Sequence, residues 1–441
     1  MTDYDRKTIE RLRKENERLK KEVDELSKEN DHLRKQLRQF DGPHTPLSKR
    51  RFRQPLELRA PRKRGAPVGH PGITRPVPTP TKVVDVTLDQ CPNCKARLGA
   101  PSTVREKIIE EIPEPLPIEV IQFNLHDYDC PQCGRHFETK HDACPQKGRF
   151  GVTFLSLIVF LRVFMRGVIR KLPTFLDVQN GTTISAATVH NIFSRVAAAC
   201  TGEYDLLKEK IRKADTLFID ETSISVLGKN WWIWIFRSSD SILFVIRHSR
   251  GSCVLEEVLG KEWTGVINSD GWRAYGTLPN AILQRCWAHL LRETKALTTD
   301  ASGRHFHLKV TVIFSELKTF IADQRNVVER QKEESKLERE MKTIACYYRR
   351  YPELAPTCQL IMNGLPDWFT CVRYEGIEPT NNAAERGLRE LVVLRNIMGA
   401  LRSEQVNRYE TLCSLFSTWQ LRHDDPMKKM RGLLVRNLCR S

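Results

Sequence analysis

From Ile9 to Phe40 apolar residues recur in an unbroken heptad, with charged residues filling most of the positions between them. The a positions are Ile9, Asn16, Val23, Asn30 and Leu37, and the d positions are Leu12, Leu19, Leu26, Leu33 and Phe40. Leu at d with Ile, Val and Asn at a predicts a parallel two-stranded coiled coil over residues 1–41. The two Asn residues cost stability in the seam, but they pair best with each other in a dimer. Gly42-Pro43 ends the helix. Residues 42–84 are rich in Pro, Gly and basic residues, which predicts an extended linker without a core.

Periodicity returns in three blocks. Val104–Ile112 and Ile118–Asp127 have strand-like patterning inside a segment, 85–149, bounded by cysteine pairs. Residues 150–212 read as helical, with Phe154, Leu155, Ile158, Leu161, Val163 and Phe164 on one buried helix. Leu172–Val178, the turn Gly181-Thr-Thr-Ile-Ser185 and Ala186–Cys200 then read as helix, turn, helix, with Ser185 as N-cap. Such a pair is either a packing unit or a DNA reader presenting Thr188, His190 and Asn191.

Residues 213–300 switch to strand patterning. Thr216–Val226, Asn230–Arg237 and Ile242–Arg247 form a meander, with turn signals at Gly228-Lys-Asn230 and Ser238-Ser-Asp240. A short helix at Val254–Leu259, a strand at Val266–Asn268 and a further strand at Ile282–Gln284 follow. This order predicts a ribonuclease H-like α/β fold. Residues 301–370 read as a charged helical insertion, and 371–441 as closing helices with a basic tail at Lys428-Lys-Met-Arg431 and Arg436. The fold class is thus multidomain α/β.

The formal charge of +17 and the pI near 9.4 favour a polyanionic partner, with nucleic acid first. The cluster Arg62, Lys63, Arg64 in the linker suits a DNA backbone or minor groove equally as well as a solvated tether. The charged N-terminus argues against a signal peptide, and Arg162 and Arg166 interrupt the most apolar stretch, Gly151–Ile169, making it a buried helix rather than a membrane span. A cytoplasmic, nucleoid-associated protein is expected. The 13 cysteines are odd in number and include Cys-x-x-Cys pairs, which favours metal ligation over disulfides. Cys91 and Cys94 with Cys130 and Cys133 are expected to hold one structural zinc ion, Cys144 being a spare thiol and His136 and His141 alternates.

Two carboxylates stand at strand positions, Asp220 in the first run and Asp270 after the fourth, and Glu385 lies in a helix start, Pro379-Thr-Asn-Asn-Ala-Ala-Glu-Arg-Gly-Leu388. Carboxylates from two strands and one helix suit a pair of Mg²⁺ (or Mn²⁺) ions for attack on a phosphodiester. Asp215, Glu221 and Glu378 are rivals, and Glu390 shares the helix of Glu385. Glu221 should face away from Asp220, because neighbours on a strand alternate.

Taken together, the zipper, the Cys-x-x-Cys pairs, Asp220-Glu-Thr222, Trp231-Trp-Ile-Trp234, Ser269-Asp-Gly-Trp-Arg-Ala-Tyr275, Cys286-Trp-Ala-His289-Leu-Leu-Arg292 and Asn381-Asn-Ala-Ala-Glu-Arg386 resemble the transposases of the insertion sequence 66 group over nearly the whole chain. The resemblance implies a DD-E enzyme that cuts and joins DNA with Mg²⁺ and takes Glu385 as its third carboxylate. It implies double-stranded DNA, both element ends and target, as partner, with accessory proteins of the same element alongside. Cys286 and His289 resemble a Cys-x-x-His signature of such enzymes, structural or substrate-orienting, with Asn381 and Asn382 in the same class and Arg386 set to meet a phosphate. The alternative is a non-catalytic DNA-binding regulator derived from a transposase.

Overall fold

A computed structural model describes residues 15–26, 29, 78–110, 117–401 and 405–440. It divides into two units, the described residues up to 110 and those from 117 onward. In the first, residues 15–26 are helical and expose Leu19, Val23 and Leu26 along one stripe. The other heptad positions except Asn16, and the cluster Arg62, Lys63, Arg64, lie outside the described residues. Residues 104–110 form no strand, and neither do 118–127 in the second unit, contrary to their patterning. Alternation specifies a face and supplies no partner: Val104, Ile109 and Val120 all stay exposed.

The second unit is built on a five-stranded sheet. Its strands are β1 (Thr216–Val226), β2 (Lys229–Arg237), β3 (Ile242–Arg247), β4 (Gly265–Ser269) and β5 (Ala281–Arg285). The order across the sheet is β3-β2-β1-β4-β5. The meander β1-β2-β3 pairs antiparallel, whereas β4 and β5 run parallel to β1. The β1–β2 turn is Leu227-Gly228, both at positive φ, which matches the strand twist. It falls one residue before the expected site, and Leu227 is held there by its N–H on the Leu401 carbonyl at 2.8 Å.

Before the sheet come helices α1 (Val152–Val163), α2 (Leu172–Asn180), α3 (Ala186–Ala199) and α4 (Thr201–Arg212). Within it lies α5 (Cys253–Leu259). After it come α6 (Trp287–Ala296), α7 (Ala301–Ile321), α8 (Val327–Tyr348), α9 (Ala355–Asn363), α10 (Asn382–Met398), α11 (Asn407–Leu421) and α12 (Pro426–Leu434). The helix-turn-helix forms as the sequence predicts: Gly181 ends α2 at positive φ, and Ser185 caps α3 by accepting the Thr188 N–H at 3.0 Å. The expected basic tail is instead helix α12, because Met430, Leu433 and Leu434 recur at helical spacing and are buried.

Two apolar cores result. One joins α1–α5 and α10–α12 to the meander, and the other joins α6–α9 to the β4–β5 side. Within the first core, Arg162 on α1 is satisfied by the Gly167 carbonyl and the Tyr409 hydroxyl at 2.8 and 2.9 Å. No helix among the described residues is long and apolar enough to cross a membrane.

Both sheet edges are closed by side chains. On β3 the N–H groups of Ile242, Phe244 and Ile246 donate to Thr418 Oγ1, Ser414 Oγ and Glu410 Oε1 at 3.0, 2.8 and 2.6 Å. Four helical residues rise about 6 Å and two strand residues about 6.6 Å, so α11 can serve every second amide of the strand. On β5 the Leu283 carbonyl accepts from Thr370 Oγ1 at 2.6 Å, and Gln284 bridges to Trp368 and Cys371. These contacts cap three amides of the β3 edge and one carbonyl of the β5 edge, which blunts both. Ser414→Ala leaves the Phe244 amide buried and unpaired, so denaturant unfolding is expected to show a loss of about 1–3 kcal/mol with little change in slope.

Candidate active site

The parallel pairing of β1 with β4 sets Thr216, Leu217 and Phe218 opposite Val266, Ile267 and Asn268. Continuing that register by two residues, past the end of β4, brings Asp270 level with Asp220 on β1. Asp270 follows the last residue of β4, and its Oδ1 accepts the Trp272 N–H at 2.9 Å, which fixes the turn after the strand. Asp220 Oδ1 accepts the Glu221 N–H at 2.8 Å.

Glu385 arrives from a distant part of the sequence and is held in place through the strap that precedes α10. Asn268 Nδ2 donates to the Glu378 and Thr380 carbonyls at 2.6 and 3.3 Å. Asn381, fully buried, donates from Nδ2 to the Ile219 carbonyl at 2.8 Å and from its backbone to Cys286 Sγ at 3.0 Å. The Cys286 and Trp287 amides in turn donate to Ser269 and Pro379 carbonyls at 2.8 and 3.0 Å. The strap is therefore tied to the residues flanking both strand carboxylates. Farther along α10, Gly387 admits the close approach of Ile235 on β2: a Cβ there would lie 2.6 Å from Ile235 Cδ1. Arg395 binds Thr222 Oγ1 at 3.0 Å and the Ser223 carbonyl.

Asp220 is pushed well above the usual carboxylate range, first by burial, then by the charges of Glu221, Asp270 and Glu385. Asp270 and Glu385 thus both act on Asp220, and so does Glu221, the one rival in the same cluster of charge. The other rivals are placed differently. Asp215 lies five residues back along the chain from Asp220, roughly 16 Å away for extended backbone. The charge of Glu378 acts on Arg237, and Glu390 is paired with Arg166. Glu221 turns to the opposite face, as alternation requires: its buried carboxylate accepts from the Tyr275 hydroxyl and from Arg250 Nε at 2.7 Å. Arg250 is itself sandwiched between the Trp232 and Trp272 rings, 4.8 and 4.4 Å from their centroids.

Glu385 Oε1 accepts from Arg292 Nη2 at 3.0 Å and stands 3.6 Å from His289 Nε2. Arg386 is exposed on α10, and Asn382 is half-buried. Among the described residues no three His, Cys, Asp or Glu side chains form a ready-made metal cage. Arg292, Asn268, Arg250 and Tyr275 were not expected here. Arg292, Tyr275 and their motifs are visible in the sequence, but an Arg on a helix and an Asn in a strand carry no chemical signature until the fold gives them partners.

The remaining expected site residues divide between the units. The Cys91 turn, in the first, is closed by Lys95 N–H to the Cys91 carbonyl at 2.9 Å, with Lys95 at positive φ. The Cys130 turn, in the second, has the same pattern through Gly134, at 2.8 Å. In each, backbone amides aim at the first thiol and lower its pKa: those of Cys94 and Asn93 at Cys91, and of Cys133 and Gln132 at Cys130. On α3, Asn191 is exposed, whereas Thr188 Oγ1 pairs with Ser185 and His190 Nε2 meets Arg408 at 2.8 Å.

Like charges held together are destabilising unless a cation joins them. Because the folded-state pKa of Asp220 is raised, its ionised form costs stability at pH values above that pKa, and the cost disappears as the group is protonated at lower pH. Asp220→Asn is therefore expected to raise the melting temperature of the metal-free protein near neutral pH, by roughly 2–4 °C per kcal/mol relieved, with the gain shrinking in acid. Calorimetry across pH checks this.

A family model described as Transposase IS66 family matches residues 147–408. That span takes in α1, the helix-turn-helix, the whole sheet, the insertion and the helix bearing Glu385. No curated protein matches the chain. The chain belongs to the IS66 family of transposases.

Proposed function

We propose that the chain is the transposase of an insertion sequence, a DD-E enzyme that cleaves element ends and transfers the strand to target DNA. The observation that supports this reading is that the charges of Asp270 and Glu385 both act on Asp220, beside the β1–β4 register and the clamped strap before α10. The sheet order, three antiparallel strands followed by two parallel ones, supports a ribonuclease H-like core with a helical insertion at residues 301–370.

The donor set fits hard divalent cations: three carboxylates, mutually repelling, with no sulfur ligand among them. Asp220, Asp270 and Glu385 would hold two Mg²⁺ (or Mn²⁺) ions. Bound there, the ions would activate the attacking oxygen and steady the leaving oxygen of a phosphodiester. The chain's own part is to hold these carboxylates in register before DNA arrives and to bring phosphate to them. Exposed Arg386 is suited to that second task.

The other modules fit the delivery of DNA ends. The exposed stripe Leu19, Val23, Leu26 supports pairing of two chains through a coiled coil. The exposed Asn191 supports contact of α3 with duplex DNA. Each Cys-x-x-Cys turn presents two thiolates suited to Zn²⁺ in a structural role.

On duplexes bearing the element's ends, Mg²⁺-dependent cleavage and strand transfer are expected. Asp220→Asn, Asp270→Asn and Glu385→Gln should each lower the rate by roughly 10³-fold or more, with duplex binding retained. Cleavage by Asp220→Asn at the wild-type rate would refute the assignment.

A further inference from the structure

One guanidinium sits against the carboxylate cluster. Arg292 lies three residues after His289 on α6, so the two share a face. Arg292 Nη2 is 3.0 Å from Glu385 Oε1, and His289 Nε2 is 3.6 Å from the same oxygen. The placement is built in, because the start of α6 is tied to the strap that starts α10 through the Cys286 thiol and the Trp287 amide. Arg386, next to Glu385, is exposed and forms no ion pair with a carboxylate of the cluster among the described residues, while three other arginines close by have fixed work. Arg250 is held by Glu221 and two tryptophans, Arg395 by Thr222 and Ser223, and Arg237 by the Ala383 carbonyl at 2.8 Å. Arg292 differs in its partner, a carboxylate of the cluster itself, and its side chain is 40% accessible, so it can turn outward.

A guanidinium stays charged at any pH the protein meets, so it needs an anion at every stage. Before metal binds, Glu385 supplies one. A carboxylate that gives its charge to a divalent cation holds a guanidinium less strongly, and a cation left beside a metal is repelled. The phosphodiester is the anion that arrives next, and its paired oxygens suit the forked donors of arginine. Resting on the reading of Asp220, Asp270 and Glu385 as one metal site, we propose that Arg292 is an exchange cation. It neutralises Glu385 in the metal-free protein and passes to a non-bridging phosphate oxygen of the DNA when Glu385 turns to the metal. Metal binding and DNA binding are thereby coupled through one side chain.

Two measurements separate this from a merely structural ion pair. The first is Mn²⁺ affinity by calorimetry without DNA. The second is the gain in affinity for a random-sequence duplex when Ca²⁺ replaces a chelator. Arg292→Gln removes the competitor, so it should bind Mn²⁺ roughly two- to fivefold tighter, the scale of a partly exposed ion pair. It should also lose most of the Ca²⁺-dependent gain in duplex affinity. Unchanged or weaker Mn²⁺ binding by a folded Arg292→Gln, or a full Ca²⁺-dependent gain, would overturn the proposal. Arg292→Lys keeps the charge without the fork. It should hold the wild-type Mn²⁺ affinity with a reduced gain on duplex, and an unreduced gain counts against the proposal even where the Gln variant does not fold. Glu385→Gln tells the two levels apart. If it leaves Mn²⁺ binding untouched, the metal site itself is misassigned. If it weakens binding while Arg292→Gln changes nothing, only the exchange fails.

Discussion

Two carboxylates side by side on neighbouring parallel strands are the constraint around which this structure is arranged. Asp220 and Asp270 repel each other, and burial makes the repulsion worse. Asn268 and Asn381 stitch the strap to β4 and β1, and Cys286 ties that strap to α6. The Tyr275 and Arg250 contacts to Glu221 pin the segment after Asp270 to the opposite face of β1. The third carboxylate rides on the strap and comes with its own counter-ion, Arg292. The site thus gathers unfavourable negative charge around Asp220.

The same logic explains how the sheet's edges are finished. A sheet that must hold two aspartates in register cannot tolerate exchange at its edges. β3 is sealed by Glu410, Ser414 and Thr418, and β5 by Thr370 and Gln284. In α11 the polar residues fall four apart inside an otherwise buried helix. That spacing costs helix propensity and matches the amide repeat of a strand. The helices before the sheet share the meander's core, so α2 and α3 belong to the same packed unit as the sheet.

Much of this was legible in the residues. The three meander strands and the strands before Asp270 and around Leu283 fall within a residue or two of their expected limits, because each is a short β-branched run between turn signals. Asp220 and Asp270 stand out as charges in such runs. Glu385 did not, since a glutamate on an amphipathic helix is ordinary; only resemblance separated it from Glu390, and the structure adds that Glu390 is occupied by Arg166. Residues 104–110 and 118–127 misled for the converse reason: alternation is present, and among the described residues neither segment has a partner strand. The roles of Arg292 and Asn268 could not be read from the sequence, because they lie in contacts across about 90 and 110 residues of chain.

The central claim is that Asp220, Asp270 and Glu385 together hold divalent metal. Anomalous diffraction from crystals soaked in Mn²⁺ tests it most directly. Two Mn²⁺ peaks, one between Asp220 and Asp270 and one between Asp220 and Glu385, are the expected result. Mn²⁺ bound elsewhere while all three carboxylates remain unliganded would contradict it.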